Sequence, residues 1–89
     1  MGKYEIISND ESGYGRYDLA MIPIKSNEKA YLMEFKISKT KKGMEERAQK
    51  ALKQIDEKKY DTKLKARGIK NILKIGVAFY GKEVKVVFK

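Results

Sequence analysis

The 89-residue sequence predicts an α/β fold, a mixed five-stranded sheet with one crossover helix in the order β-β-β-α-β-β. Three observations carry that prediction. Strand formers dominate residues 15–24 and 30–37 on either side of a short polar turn. Apolar residues then recur at helical spacing over 44–59, and two further strand-like runs, 72–79 and 83–88, flank a Tyr80-Gly81-Lys82 turn. A helix between the third and fourth strands favours a right-handed crossover, which makes the sheet mixed.

Each element has its own justification. Tyr4-Glu5-Ile6-Ile7 is a short strand, and residues 8–13 are dense in turn formers. In the second strand Pro23 has no N–H to give to a ladder, so it belongs at an edge or where the strand leaves the sheet. Folding the hairpin about Asn27 sets Asp18 opposite Lys36 and Ala20 opposite Glu34, with the two carboxylates as diagonal neighbours about 7–8 Å apart at the backbone. Alternation sends Asp18, Ala20, Ile22, Leu32, Glu34 and Lys36 to one face and Tyr17, Leu19, Met21, Tyr31, Met33 and Phe35 to the other. Both faces are mostly apolar, the pattern of a sheet covered on both sides. Residues 39–43 form a basic connector, and the helix of 44–59 turns Met44, Ala48, Ala51, Leu52 and Ile55 inward, with Glu45 and Glu46 suiting its first turn. Ala48 and Ala51 are small enough for close packing on the sheet. A basic loop over 63–70 leads to the last two strands, of which the second alternates like an antiparallel edge strand with one wet face. One long helix covers only one face of the sheet. The missing layer is expected from an element preceding Met1 in a longer protein, of which this single domain is a fragment, or from a second copy of the chain.

Composition limits the chemistry. Without cysteine there is no disulfide or thiolate metal site, and a reducing cytoplasm is the natural compartment. Without histidine the usual general base and zinc ligand are missing. Any catalysis must run on carboxylates, lysine and a hard cation such as Mg²⁺ or Mn²⁺, which prefers oxygen ligands. No apolar run suits a membrane span or a leader. A net charge of +9, from 21 Lys+Arg against 12 Asp+Glu, suits a polyanion, with nucleic acid ahead of an anionic membrane.

Asp18, Glu34 and Lys36 are charged residues set into an apolar layer, and burying charge is costly unless it is paired or holds a metal. Two readings follow. One is a hydrolytic metal site. The other is an Asp18–Lys36 cross-strand salt bridge at a wet edge, with Glu34 solvated.

Four blocks extend this pattern along the chain: residues 8–18 ending in Gly15-Arg16-Tyr17-Asp18; Glu34-Phe35-Lys36 after fifteen intervening residues; Ala51-Leu52-Lys53-Gln54-Ile55 with Lys59-Tyr60 behind it; and Ile75-Gly76-Val77-Ala78-Phe79. In content and order they resemble the PD-(D/E)XK nuclease superfamily, and more closely the nuclease-like domain at the C-terminus of a group of AAA-ATPase-like proteins. The resemblance implies a truncated restriction-endonuclease-like core and divalent-metal-dependent cleavage of nucleic acid, DNA ahead of RNA. It implies Asp18 and Glu34 as carboxylate ligands, the Phe35 carbonyl as a further ligand, and Lys36 as the residue that orients or helps deprotonate the attacking water. Gln54 and Tyr60 resemble the glutamine and tyrosine that shape the site and hold substrate in the exonuclease branch, although Gln54 borders the apolar face of its helix and could serve packing alone. Tyr17 stands in place of the proline of the superfamily. The superfamily usually has a helix before the first strand, often with another acidic residue, whereas this sequence is expected to start in the strand, with Glu5 and Glu11 as the candidates to substitute in part. A catalytically silent module for nucleic-acid binding, docking or dimerisation is the alternative reading.

Further basic residues have two readings each. Arg16, expected on the face of Asp18, could clamp a phosphate or pair with Glu34 or Glu11. Lys39, Lys41 and Lys42 could track a nucleic-acid backbone or form a solvated connector, and Lys63, Lys65, Arg67 and Lys70 read the same way.

Overall fold

A computed structural model of the chain describes residues 3–8, 11–12, 15–16, 18–25 and 28–89, with positions 11, 12, 15 and 16 described by their backbone. In chain order the elements are β1 (Tyr4–Ser8), β2 (Glu11–Ser12), β3 (Gly15–Arg16), β4 (Leu19–Pro23), β5 (Ala30–Ile37), α1 (Met44–Glu57), α2 (Thr62–Ala66), β6 (Ile72–Tyr80) and β7 (Glu83–Phe88). Five strands form one mixed sheet in the order β1-β4-β5-β6-β7, as the sequence predicts. The β5–β6 pair is parallel because α1 and α2 carry the chain across between them, and the other pairs are antiparallel.

Three local expectations are corrected. The predicted second strand is two pieces. Gly15–Arg16 pairs with Glu11–Ser12 in a separate two-stranded ribbon, and the chain bends at Asp18 before β4 begins. The backbone of Arg16 therefore belongs to a different sheet from β4. Secondly, the hairpin register is Leu19↔Met33, Ala20↔Leu32 and Met21↔Tyr31, two residues away from a fold about Asn27. The end of β4 belongs to β1, through Tyr4↔Pro23 and a hydrogen bond from Ile24 N–H to Lys3 O, while Ala30 N–H bonds Asn71 O. The connection is thus wider than a symmetric turn. A slip of two leaves the paired side chains of β4 and β5 on their expected faces, yet sets Asp18, just before β4, against the backbone of Met33 and Phe35. Thirdly, the expected loop over 63–70 contains α2, whose Leu64, followed by Ile69, is buried in the core. One apolar anchor in five residues gives no periodicity to read.

Helix α1 lies on one face of the sheet through Ala48, Ala51, Leu52 and Ile55, and packs over Ala20, Ile22, Ala30, Leu32 and Ala78 with Tyr60, Leu64 and Ile69. Pro23 is the last residue of β4, where a missing N–H does no harm. The approach of helix to sheet is closest at Gly76. A Cβ there would lie 2.2 Å from Ala48 O and 2.7 Å from Leu52 N, both backbone atoms. Gly76→Ala must therefore push α1 away from the sheet, and a loss of about 3 kcal/mol in urea unfolding is expected.

The opposite sheet face is open. Ile6, Phe35, Ile37, Phe79, Val84, Val86 and Phe88 are all exposed. The expectation of one uncovered face holds. β7 is the antiparallel edge strand predicted, but its open face is the apolar one. Val87 turns toward α1 to pack with Met44, Ala48 and Ala78.

Candidate functional site

Asp18 is tied to β5 at both backbone and side chain. Its N–H donates to Met33 O at 3.2 Å, and its Oδ2 accepts from Phe35 N–H at 2.7 Å. A residue in an extended strand directs its N–H and C=O to the same side. The Phe35 carbonyl is therefore directed toward the Asp18 side of β5, beyond the point where β4 has begun.

Glu34, one residue before Phe35, points to the helix face and is only 6 % exposed. Its Oε1 is buried and has no hydrogen-bond partner. Burial, followed by the neighbouring charge of Asp18, pushes the Glu34 carboxyl up to about 7, with the Lys36 ammonium offsetting part of that rise. Lys36 is half-buried two residues further on. No Asp18–Lys36 ion pair forms among the described residues, so the cross-strand salt bridge is not the arrangement adopted.

Lys36 opens a groove that it lines with Arg47, Lys50, Gln54, Glu57 and Lys58 of α1 and the residue after it. Gln54 donates its Nε2–H to Tyr60 Oη at 3.0 Å. Burial raises the Tyr60 hydroxyl pKa, the Gln54 bond lowers it, and the nearby Glu34 and Asp18 raise it further. Tyr60 is only 2 % exposed, a correction to its expected place on a nucleic-acid surface. It reaches the site through Gln54, which it holds. A second cleft, lined by Asp18, Phe35, Lys36, Ile37 and Phe79 among others, opens from the same place onto the uncovered sheet face.

The structure thus brings together Asp18, Glu34, Phe35, Lys36, Gln54 and Tyr60. Tyr17, Asn27 and the side chains of Glu11 and Arg16 lie outside the described residues. Lys39, Lys41 and Lys42 are exposed on the connector; Lys41 pairs with Glu83 at 3.3 Å, while Lys39 lines a further groove with Arg47 and Lys50. Glu5 is exposed and meets Arg67 at 3.5 Å, so it does not serve as a further acid beside Asp18. Sequence reasoning missed Arg47, Lys50 and Lys58. Their spacing with Gln54 along α1 was the available signal.

The donor set suits a hard cation. Two carboxylates stand beside each other with no sulfur or nitrogen ligand, the Phe35 carbonyl is on the Asp18 side of β5, and an unpartnered buried carboxylate oxygen is a group that needs a partner. Among the described residues no cluster of three or more carboxylates forms. A cation held here would complete its shell from water and substrate oxygens, as Mg²⁺ commonly does.

A family model for the PD-(D/E)XK nuclease superfamily matches residues 1–89. The chain belongs to that superfamily. No curated protein and no solved structure matches it. Membership in the PD-(D/E)XK nucleases agrees with the mixed sheet and crossover helix. Among the described residues no helix is long and apolar enough to cross a membrane.

Proposed function

We propose that this PD-(D/E)XK protein hydrolyses phosphodiester bonds in nucleic acid, DNA in preference to RNA, with Mg²⁺ or Mn²⁺. The observation that carries this reading is Glu34, a buried carboxylate with an unpartnered oxygen set beside Asp18. Asp18, Glu34 and the Phe35 carbonyl would hold the cation, which supplies Lewis-acid stabilisation of charge building on the phosphate. Lys36 stands two residues from Glu34 on the same strand face, at the mouth of the groove, where its ammonium can orient an attacking water or meet a phosphate oxygen. Tyr60 fixes the Gln54 amide, leaving the Gln54 carbonyl oxygen to accept from that water or from substrate.

The test is calorimetric titration of Mn²⁺ into the protein beside cleavage of a supercoiled plasmid and a single-stranded RNA. Saturable Mn²⁺ binding, with plasmid nicking that chelation abolishes, is the expected result. Absence of Mn²⁺ binding overturns it. Binding of Mn²⁺ without cleavage of either polymer would leave a silent nuclease fold.

The uncovered sheet face supports a second element of the reading, that two copies of the chain pack sheet on sheet. None of the strand positions that turn to this face carries a charge, in a chain where 37% of residues are charged. The exposed side chains from Ile6 to Phe88 present roughly 700 Å² of apolar surface, close to the ~800 Å² per partner of a standard interface. Sedimentation equilibrium should give a dimer that Phe88→Lys with Val86→Lys converts to monomer. A monomeric wild type at tens of micromolar sinks self-association.

A further inference from the structure

The two flanks of α1 differ in charge. On the flank toward β6 and β7, Glu45 meets Lys85 at 3.3 Å, and Asp56 is bonded by Lys74 and Lys89. On the other flank stand Arg47, Lys50, Gln54 and Lys58, whose spacings of three, four and four put them in one line along the helix. Arg47 donates its Nε–H to Ile37 O at 3.2 Å, which anchors it and does not engage the outer nitrogens of the guanidinium. Lys36, Lys50 and Lys58 form no ion pair with any described residue. The acid of this groove, Glu57, has Lys53 on its far side at 3.8 Å.

Cations lacking carboxylate partners, held in one line by a rigid helix, are what a chain of phosphates requires. Lys36 is two residues from Glu34 on β5, and Gln54 bonds Tyr60, which lies near Glu34 and Asp18, so the groove runs beside the carboxylate site. At the Arg47 end a second groove, lined by Lys39, Arg47 and Lys50 with one acid, Glu46, extends toward the connector. We infer that Arg47, Lys50 and Lys58 with Lys36 form a track that binds the phosphodiester backbone of a nucleic acid and leads it to the carboxylates. This deepens the nuclease reading and rests on it for the direction of the track, but binding can be tested without cleavage.

The experiment is fluorescence anisotropy of a labelled DNA duplex with the whole chain in EDTA, repeated across a salt series. Each phosphate contact contributes about 0.9 to the slope of log K against log salt. Lys50→Gln and Lys58→Gln should each lower the slope by about that amount and weaken binding roughly five- to tenfold near 0.1 M salt. Both side chains are exposed, so folding should be unaffected, and matching melting curves will establish this. Lys82→Gln, at the exposed β6–β7 turn away from the track, removes the same charge and should leave the slope unchanged. Equal slope changes in all three variants would mean that net charge alone acts, and would overturn the track. So would wild-type slopes in Lys50→Gln and Lys58→Gln, or no binding of the duplex by the wild type. Should the protein bind neither Mn²⁺ nor cut DNA while the slopes fall as expected, the nuclease reading fails and the track stands.

Discussion

Asp18→Asn should slow phosphodiester cleavage by at least about 10²–10³-fold, the loss typical of removing one electrostatic stabiliser from a reaction centre, while leaving the protein folded. Asparagine retains a side-chain oxygen that can accept from Phe35 N–H, the bond that Asp18 Oδ2 makes at 2.7 Å. What it removes is the charge. A fall in single-turnover nicking together with weaker Mn²⁺ affinity, at an unchanged melting temperature, would trace the loss to the cation. Asp18→Ala also removes the acceptor and should cost a further ~1–2 kcal/mol of stability. Nicking within threefold of wild type in Asp18→Asn would take Asp18 out of the reaction.

Glu34→Gln should abolish cleavage and yet stabilise the metal-free fold at alkaline pH. The Glu34 carboxyl is raised from 4.5 in the unfolded chain to about 7. A raised acid contributes stability that is fully present below 4.5 and is lost as pH rises through about 7. The gap corresponds to about 3 kcal/mol. Glutamine stays neutral, and its amide can donate toward the neighbouring Asp18 carboxylate. Urea unfolding in EDTA should therefore show wild type losing stability between pH 5 and 8 along a slope that Glu34→Gln flattens. The variant should be the more stable protein by about 2–3 kcal/mol at pH 8. Parallel curves for the two proteins across that range would mean that Glu34 is not held in its raised state. The same sign governs metal affinity, since a cation competes with the proton on Glu34 and should bind more tightly above pH 7.

The faces of the paired strands were legible because alternation survives any even slip of register, and Glu34 and Lys36 share one face of β5 as expected. Their spacing was not legible. Pairing at the end of β4 is shared with β1, and a long-range partner sets a turn that local residues leave free. The break between β3 and β4 was hidden for a related reason. Arg16 to Ala20 reads as continuous strand former, and only the pairing of Gly15–Arg16 with Glu11–Ser12 separates the pieces. The helix was visible in its five inward residues, all buried as expected. Its basic flank was overlooked although Arg47, Lys50 and Lys58 share the helical spacing of Gln54, because Asp56 and Glu57 lie between them along the chain and mask the segregation. The Gln54–Tyr60 pair was named for a role at the substrate. Its hydrogen bond shows that one member serves as the brace of the other.

Phe35 faces two ways. Its ring meets Phe79 edge-on at 6.0 Å on the apolar side of the sheet, and its peptide N–H holds Asp18. The outer apolar layer and the inner carboxylate pair therefore share a single peptide unit, with no intervening spring to isolate them. A partner that shifted the ring would be expected to shift the angle at which Asp18 is held. The strand behind the carboxylate pair is, in this molecule, also a surface, and a contact made on its outside would bear on the peptide that holds Asp18.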